Sequence, residues 1–79
     1  MNLHLSKTNI ERDGVVGMSI ELRTKDGLIG GADLRLPADE QAVATIIDTL
    51  GHQAERHGVR LNGRQKLALA QSIEMGAVQ

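Results

Sequence analysis

Apolar and polar residues alternate strictly through two stretches of the chain. Val16, Met18, Ile20 and Leu22 alternate with Gly17, Ser19, Glu21 and Arg23. Leu28, Ala32, Leu34 and Leu36 resume the pattern after Lys25-Asp26-Gly27. A period of two marks a half-buried strand, because successive side chains leave opposite faces of the sheet. The two strands read as a hairpin, and their register follows from the pattern. If Asp26-Gly27 alone formed the loop, Ile20 would face Asp33 and Met18 would face Arg35. With Lys25-Asp26-Gly27 as the loop, Leu22 faces Gly30, Ile20 faces Ala32, Met18 faces Leu34 and Val16 faces Leu36. One face is then apolar or glycine throughout. A one-residue slip would turn every side chain to the wrong face, so the pattern selects the three-residue loop. Such a loop places Gly27 at positive φ. The other face carries Ser19, Glu21, Arg23, Asp33 and Arg35 and reads as solvated sheet surface.

The chain upstream adds a strand. Leu3 and Leu5 alternate with His4 and Ser6, and Asp13-Gly14 is a strong two-residue hairpin signal. That loop sets Leu5 opposite Leu22 and Leu3 opposite Thr24, on the side of Met18 and Ile20. Lys7, Asn9 and Glu11 then share the inner face, so the far half of this strand lies beyond the core. Ile10 falls on the outer face, which a bulge near Thr8-Asn9 would correct. A meander in the order one, two, three follows.

Downstream the period changes to 3.6. Val43, Ile46, Ile47, Leu50 and Ala54 form one stripe of a helix over about residues 38–57. Pro37 suits its first turn, and Asp39 and Glu40 complement the positive end of its dipole. Gly51 lies about 80° from the stripe's centre and points to a close approach or a small bend. Gly58 reads as the residue after the C-cap, with Val59 folding back. Val59-Arg60-Leu61 reads as a connector or a short edge strand. Asn62 and Gln65 form a capping box that opens a second helix over about residues 63–75, ending near Gly76. Leu67, Leu69, Ala70 and Ile73 supply its apolar face, with Ala68 and Met75 towards the other side. The fold class is α+β: a three-stranded antiparallel β-meander followed by two α-helices packed on one face.

Composition sharpens this picture. A chain of 79 residues is a single small domain with a thin core. With 41% hydrophobic and 24% charged residues it belongs among folded globular chains. Phe, Tyr, Trp and Cys are absent, so the core has no aromatic anchor and no disulfide. So thin a core makes self-association, as a dimer, the expectation. Its candidate contacts are the third strand's free edge, or Ala68 and Met75 on the second helix. No apolar run reaches the length of a membrane span, and the expected location is the cytoplasm.

Candidate chemistry is sparse. His52 and His57 lie about 140° apart on a helix, which does not suit a shared metal ion. His57 is placed to complement the helix dipole. Ser6, Ser19 and Ser72 lie in no nucleophile context. Asp39 and Glu40 sit where a helix start normally carries acids. Gly30-Gly31 opens no helix, so it is no phosphate loop; a bulge or a close backbone contact explains it better. No catalytic, cofactor or metal site is expected, and the chain does not read as an enzyme.

Charge is the one uneven feature. Residues 1–50 hold five basic and eight acidic side chains, a net −3, and residues 51–79 hold four and two, a net +2. Arg56, Arg60, Arg64 and Lys66 gather around the connection between the helices. A solvated surface is the plain reading, and a partner-binding patch is the functional one. The leading functional class is a non-enzymatic protein-interaction module, such as an adaptor or a small inhibitor of a larger complex of the kind mobile elements encode. The alternative is a small nucleic-acid-binding regulator that uses these four cations. Against it, the connection from residue 58 to 63 is longer than the turn of a helix-turn-helix. The chain also lacks aromatics for base stacking.

Overall fold

The computed structural model describes the backbone of residues 3–77 and the side chains of residues 3–74. Strands β1 (His4–Arg12), β2 (Val15–Thr24) and β3 (Gly27–Arg35) form one antiparallel sheet in the order β1-β2-β3. Helices α1 (Glu40–Arg56) and α2 (Gly63–Ala77) follow. α1 lies mainly against β3, and α2 lies against α1 and the start of β1. This is the βββαα arrangement that the sequence predicts.

The first hairpin closes on Asp13 and Gly14, both at positive φ (55° and 79°), and pairs Leu5 with Leu22. Two central residues at positive φ give the turn whose twist matches the flanking strands. The bulge expected near Thr8-Asn9 is not there. The β1–β2 ladder runs unbroken from His4↔Arg23 to Arg12↔Val15, and Ile10 stays on the outer face opposite Gly17. A Cβ at residue 17 would stand 3.1 Å from the Leu34 carbonyl oxygen, a tight approach, and in ordinary contact with Ile10 at 3.6 Å.

The second hairpin corrects one expectation. Met18↔Leu34, Ile20↔Ala32 and Leu22↔Gly30 pair as predicted. The loop, however, is only Lys25-Asp26, because Gly27 already pairs with Thr24 and Leu28 with Arg23. The ladder then shifts between Leu22 and Arg23, leaving Ile29 as an extra residue on β3. A two-residue loop plus one bulged residue advances the chain as far as a three-residue loop does, so the later register is the same. The bulge turns Ile29 into the core (6% exposed) and Leu28 out of it (48% exposed). Val16 also stays exposed. It lies at the end of β2 where Leu36 N–H donates to its carbonyl (2.9 Å), away from the buried cluster.

The helix ends follow local rules. Asp39 caps α1, accepting a hydrogen bond from the Ala42 N–H at 2.8 Å. The helix therefore starts at Glu40, and Pro37 precedes the cap instead of occupying the first turn. At the other end Gly58 (φ 80°) donates to the Glu55 carbonyl and Val59 to the Ala54 carbonyl. That pair of bonds satisfies carbonyls left open by the helix and returns Val59 to the core. Val59-Arg60-Leu61 is a connector with Val59 and Leu61 buried, not a strand. The capping box forms in both directions: Asn62 Oδ1 accepts from Gln65 N–H (2.7 Å) and Gln65 Oε1 from Asn62 N–H (2.9 Å).

The core lies between the sheet and the helices. Met18, Ile20, Leu22, Ile29 and Leu34 meet Val43, Ile46, Ile47, Leu50 and Ala54 of α1, Val59 and Leu61 of the connector, and Leu69 and Ile73 of α2. Leu67 was expected on this face but is 60% exposed. At 100° per residue Lys66, not Leu67, falls between Leu69, Ile73 and Ala70 on the inward side of α2.

Gly51 accounts for how Lys66 fits there. A Cβ at residue 51 would stand 3.6 Å from Lys66 Cε, an ordinary contact, so the stem of Lys66 runs along α1 at the glycine and its head reaches solvent. The backbone of Gly51 is helical and the space is sufficient. Gly51→Ala is therefore expected to stabilise the domain by about 0.5–1 kcal/mol, the helix-propensity difference. A urea titration that shows destabilisation would mean that Lys66 cannot yield.

Candidate functional site

Gly30 lets α1 approach β3. A Cβ at residue 30 would lie 2.9 Å from Gln53 Oε1 and 3.5 Å from Leu50 Cδ2, so glycine lets Gln53 stand where it does. Gln53 Oε1 accepts a hydrogen bond from the Gly31 N–H at 2.6 Å. The expected close backbone contact at Gly30-Gly31 is present, and the bulge lies one residue before it. Together they hold the C-terminal end of α1 beside the β2–β3 turn.

A cleft of about 580 Å³ opens between that turn and the helix end, lined by Thr24, Lys25, Asp26, Leu28, Ile29, His57 and Val59. The bulge supplies one apolar wall, since it presents Leu28 and Ile29 on successive residues. The C-cap supplies the other, since it folds Val59 inward behind the exposed His57. A shallower depression beside it shares Leu28, Ile29 and His57 and adds Gly30, Gly31, Gln53 and Arg56. The turn is held by a hydrogen bond from the Asp26 N–H to Thr24 Oγ1 (3.1 Å).

The four cations singled out by the sequence are not equivalent in space. Arg56 closes α1 and borders the depression. Arg60, next to Val59, is exposed, with Nε 4.0 Å from Glu55 Oε1. An ion pair so open to water contributes little to stability. Arg64 is exposed on the first turn of α2. Lys66 turns towards Gly51, about 200° around the helix from Arg64. Lys25 was not singled out with them, yet the fold brings it to the cleft. The cleft and the depression beside it thus hold Lys25 and Arg56 against Asp26.

Of the two α2 residues considered for self-association, Ala68 is exposed beside Leu67, and the side chain of Met75 lies outside the described residues. Among the described residues, no three His, Asp or Glu side chains are placed to share a metal ion, and no helix is long and apolar enough to cross a membrane. No protein-family model, no curated protein and no solved structure matches this chain.

Proposed function

We propose that the chain is a non-enzymatic protein-interaction module that acts in the cytoplasm as an adaptor or a small inhibitor of a larger complex, of the kind mobile elements encode. It docks an acidic segment of a protein partner into the cleft beside the β2–β3 turn. The observation that carries this reading is the pairing of apolar walls with a cationic border: Leu28, Ile29 and Val59 within, Lys25 and Arg56 around. A concave apolar site with a few polar groups at its rim is the usual form of a recognition site. Two cations against one carboxylate make a weak field for a DNA duplex, but are enough to orient an acidic side chain beside an apolar anchor.

The test compares co-purification from the native host using the wild-type protein and Lys25→Glu/Arg56→Glu. The expected result is an acidic protein retained by the wild type and lost from the variant, with slower association as the main kinetic change. A gel-shift with random duplex at low salt is the counter-test. Tight retention there, with a log–log salt slope of about −3 to −4 as four phosphate contacts would give, would replace this reading with the nucleic-acid-binding regulator.

A further inference from the structure

The two edges of the sheet are treated differently by the fold. The hydrogen bond from Leu36 N–H to the Val16 carbonyl fixes the phase of the ladder. Val16, Met18, Ile20 and Leu22 turn their backbone groups towards β3, and the residues between them turn towards β1. Gly31, opposite Glu21, therefore points its N–H out of the β3 edge, where Gln53 Oε1 occupies it. The bulge at Ile29 interrupts the same edge. Both are devices that discourage a further strand from adding to an edge.

β1 has neither device. Its nine residues, HLSKTNIER, contain no proline or glycine, and its ladder carries no register shift. By the same phase, Leu5, Lys7, Asn9 and Glu11 direct their N–H and C=O groups outwards. From Ser6 to Arg12 every residue is exposed, so among the described residues neither helix covers the backbone of this edge.

We propose that β1 pairs antiparallel with β1 of a second copy of this chain, about a two-fold axis at Asn9, to give a continuous six-stranded sheet. This goes beyond the cleft reading and does not depend on it, since β1 and β3 are opposite edges. The charge pattern selects both the occupant and the register. With Asn9 opposite Asn9, Lys7 of each copy faces Glu11 of the other, and both are outward-bonding positions. Thr8 then faces Ile10, and Ser6 faces Arg12, on the outer face of the sheet. Two opposite-charge pairs and two β-branched pairs result, and no like charges meet. Centring on Thr8 would set Glu11 against the apolar Leu5. Centring on Lys7 would set the two lysines against each other. Ile10, 44% exposed in the single chain, faces only the bare backbone of Gly17 on β2, and pairing gives it a side chain opposite on the other edge. A symmetric self-complementary strand is the simplest isologous interface.

Sedimentation at micromolar concentration is the test, with the wild type expected at twice the chain mass of 8.5 kDa. Lys7→Glu places glutamate against glutamate twice, and Glu11→Lys places lysine against lysine twice, so each variant alone is expected to be monomeric. Mixed in equal amounts they form a pair in which every facing charge is opposite, and dimers are expected to return. Asn9→Pro removes an outward N–H without touching the ladder to β2, and is expected to abolish the dimer with an unchanged circular dichroism spectrum. It gives a reading independent of Lys7, whose Nζ also donates to the Ser72 carbonyl at 2.6 Å. A monomeric wild type, a dimer that survives Asn9→Pro, or a mixture that stays monomeric would each overturn the proposal.

Discussion

Replacing Leu50 by alanine is expected to lower the stability of the domain by about 2–5 kcal/mol, the range for deleting a large aliphatic side chain from a packed core. Leu50 has no exposed surface and sits at the centre of the α1 stripe. Its Cδ2 lies 3.5 Å from where a Cβ on Gly30 would be, so it packs directly on the backbone of β3. The void left by alanine would be bounded by strand backbone, which cannot move inwards without breaking the ladder. The core has no aromatic ring that could swing into the gap. For 79 residues the whole stability is about 4–12 kcal/mol, so the loss is a large fraction of it. Urea unfolding at one fixed protein concentration measures it, since self-association would otherwise move the midpoint. A loss below about 1 kcal/mol would contradict the packing of α1 on β3.

What the sequence made legible was local or doubly determined. The Asp13-Gly14 turn and the strand alternation independently demand the same first register, so that hairpin is correct to the residue apart from the bulge expected at Thr8-Asn9. Asn62 with Gln65, and Gly58 with Val59, are motifs closed within six residues, and both form. The second hairpin was determined only once. Its face pattern is satisfied equally by a three-residue loop and by a two-residue loop with a bulge. The choice between Leu28 and Ile29 as the buried residue depends on what packs above them, and that is α1. Leu67 was misplaced for a related reason: an inward position on α2 that periodicity offers to an apolar residue is filled by the stem of Lys66, because Gly51 leaves room.

The candidate site shows the same limit. Arg56, Arg60 and Arg64 are visible as a run of charge, but a cleft exists only once a helix end is set against a turn. Lys25 and His57 stand far apart in sequence and meet only through the contacts of Gly30 and Gln53. Charge alone therefore pointed to the connection between the helices and said nothing of the apolar walls of the cleft beside it. The backbone signal that would have found them is the Leu28-Ile29 doublet directly after Gly27, where an alternating strand should have only one apolar residue.

Gly27→Ala is expected to destabilise the domain by about 1–3 kcal/mol through backbone conformation alone. The φ of Gly27 is 122°, in a region that L-residues rarely enter. A Cβ there would meet nothing within 4 Å, so no steric clash with a neighbour contributes. Gly51 provides the internal contrast, since its substitution is expected to stabilise. A second variant isolates the cause. Chemical synthesis with D-alanine at residue 27 adds the same methyl group, but a φ of 122° lies on the side of φ that D-residues ordinarily adopt. D-alanine is therefore expected to leave stability unchanged or raise it slightly by restricting the unfolded chain. Equal losses for both alanines would show that the methyl group itself is not tolerated. No loss for L-alanine would mean that the turn can relax to a negative φ. The turn also carries Lys25 and Asp26 into the cleft, so a relaxed turn would move one wall of the proposed docking site. Partner retention should then fall with L-alanine and persist with D-alanine, which ties the conformation of a single glycine to recognition as well as to stability.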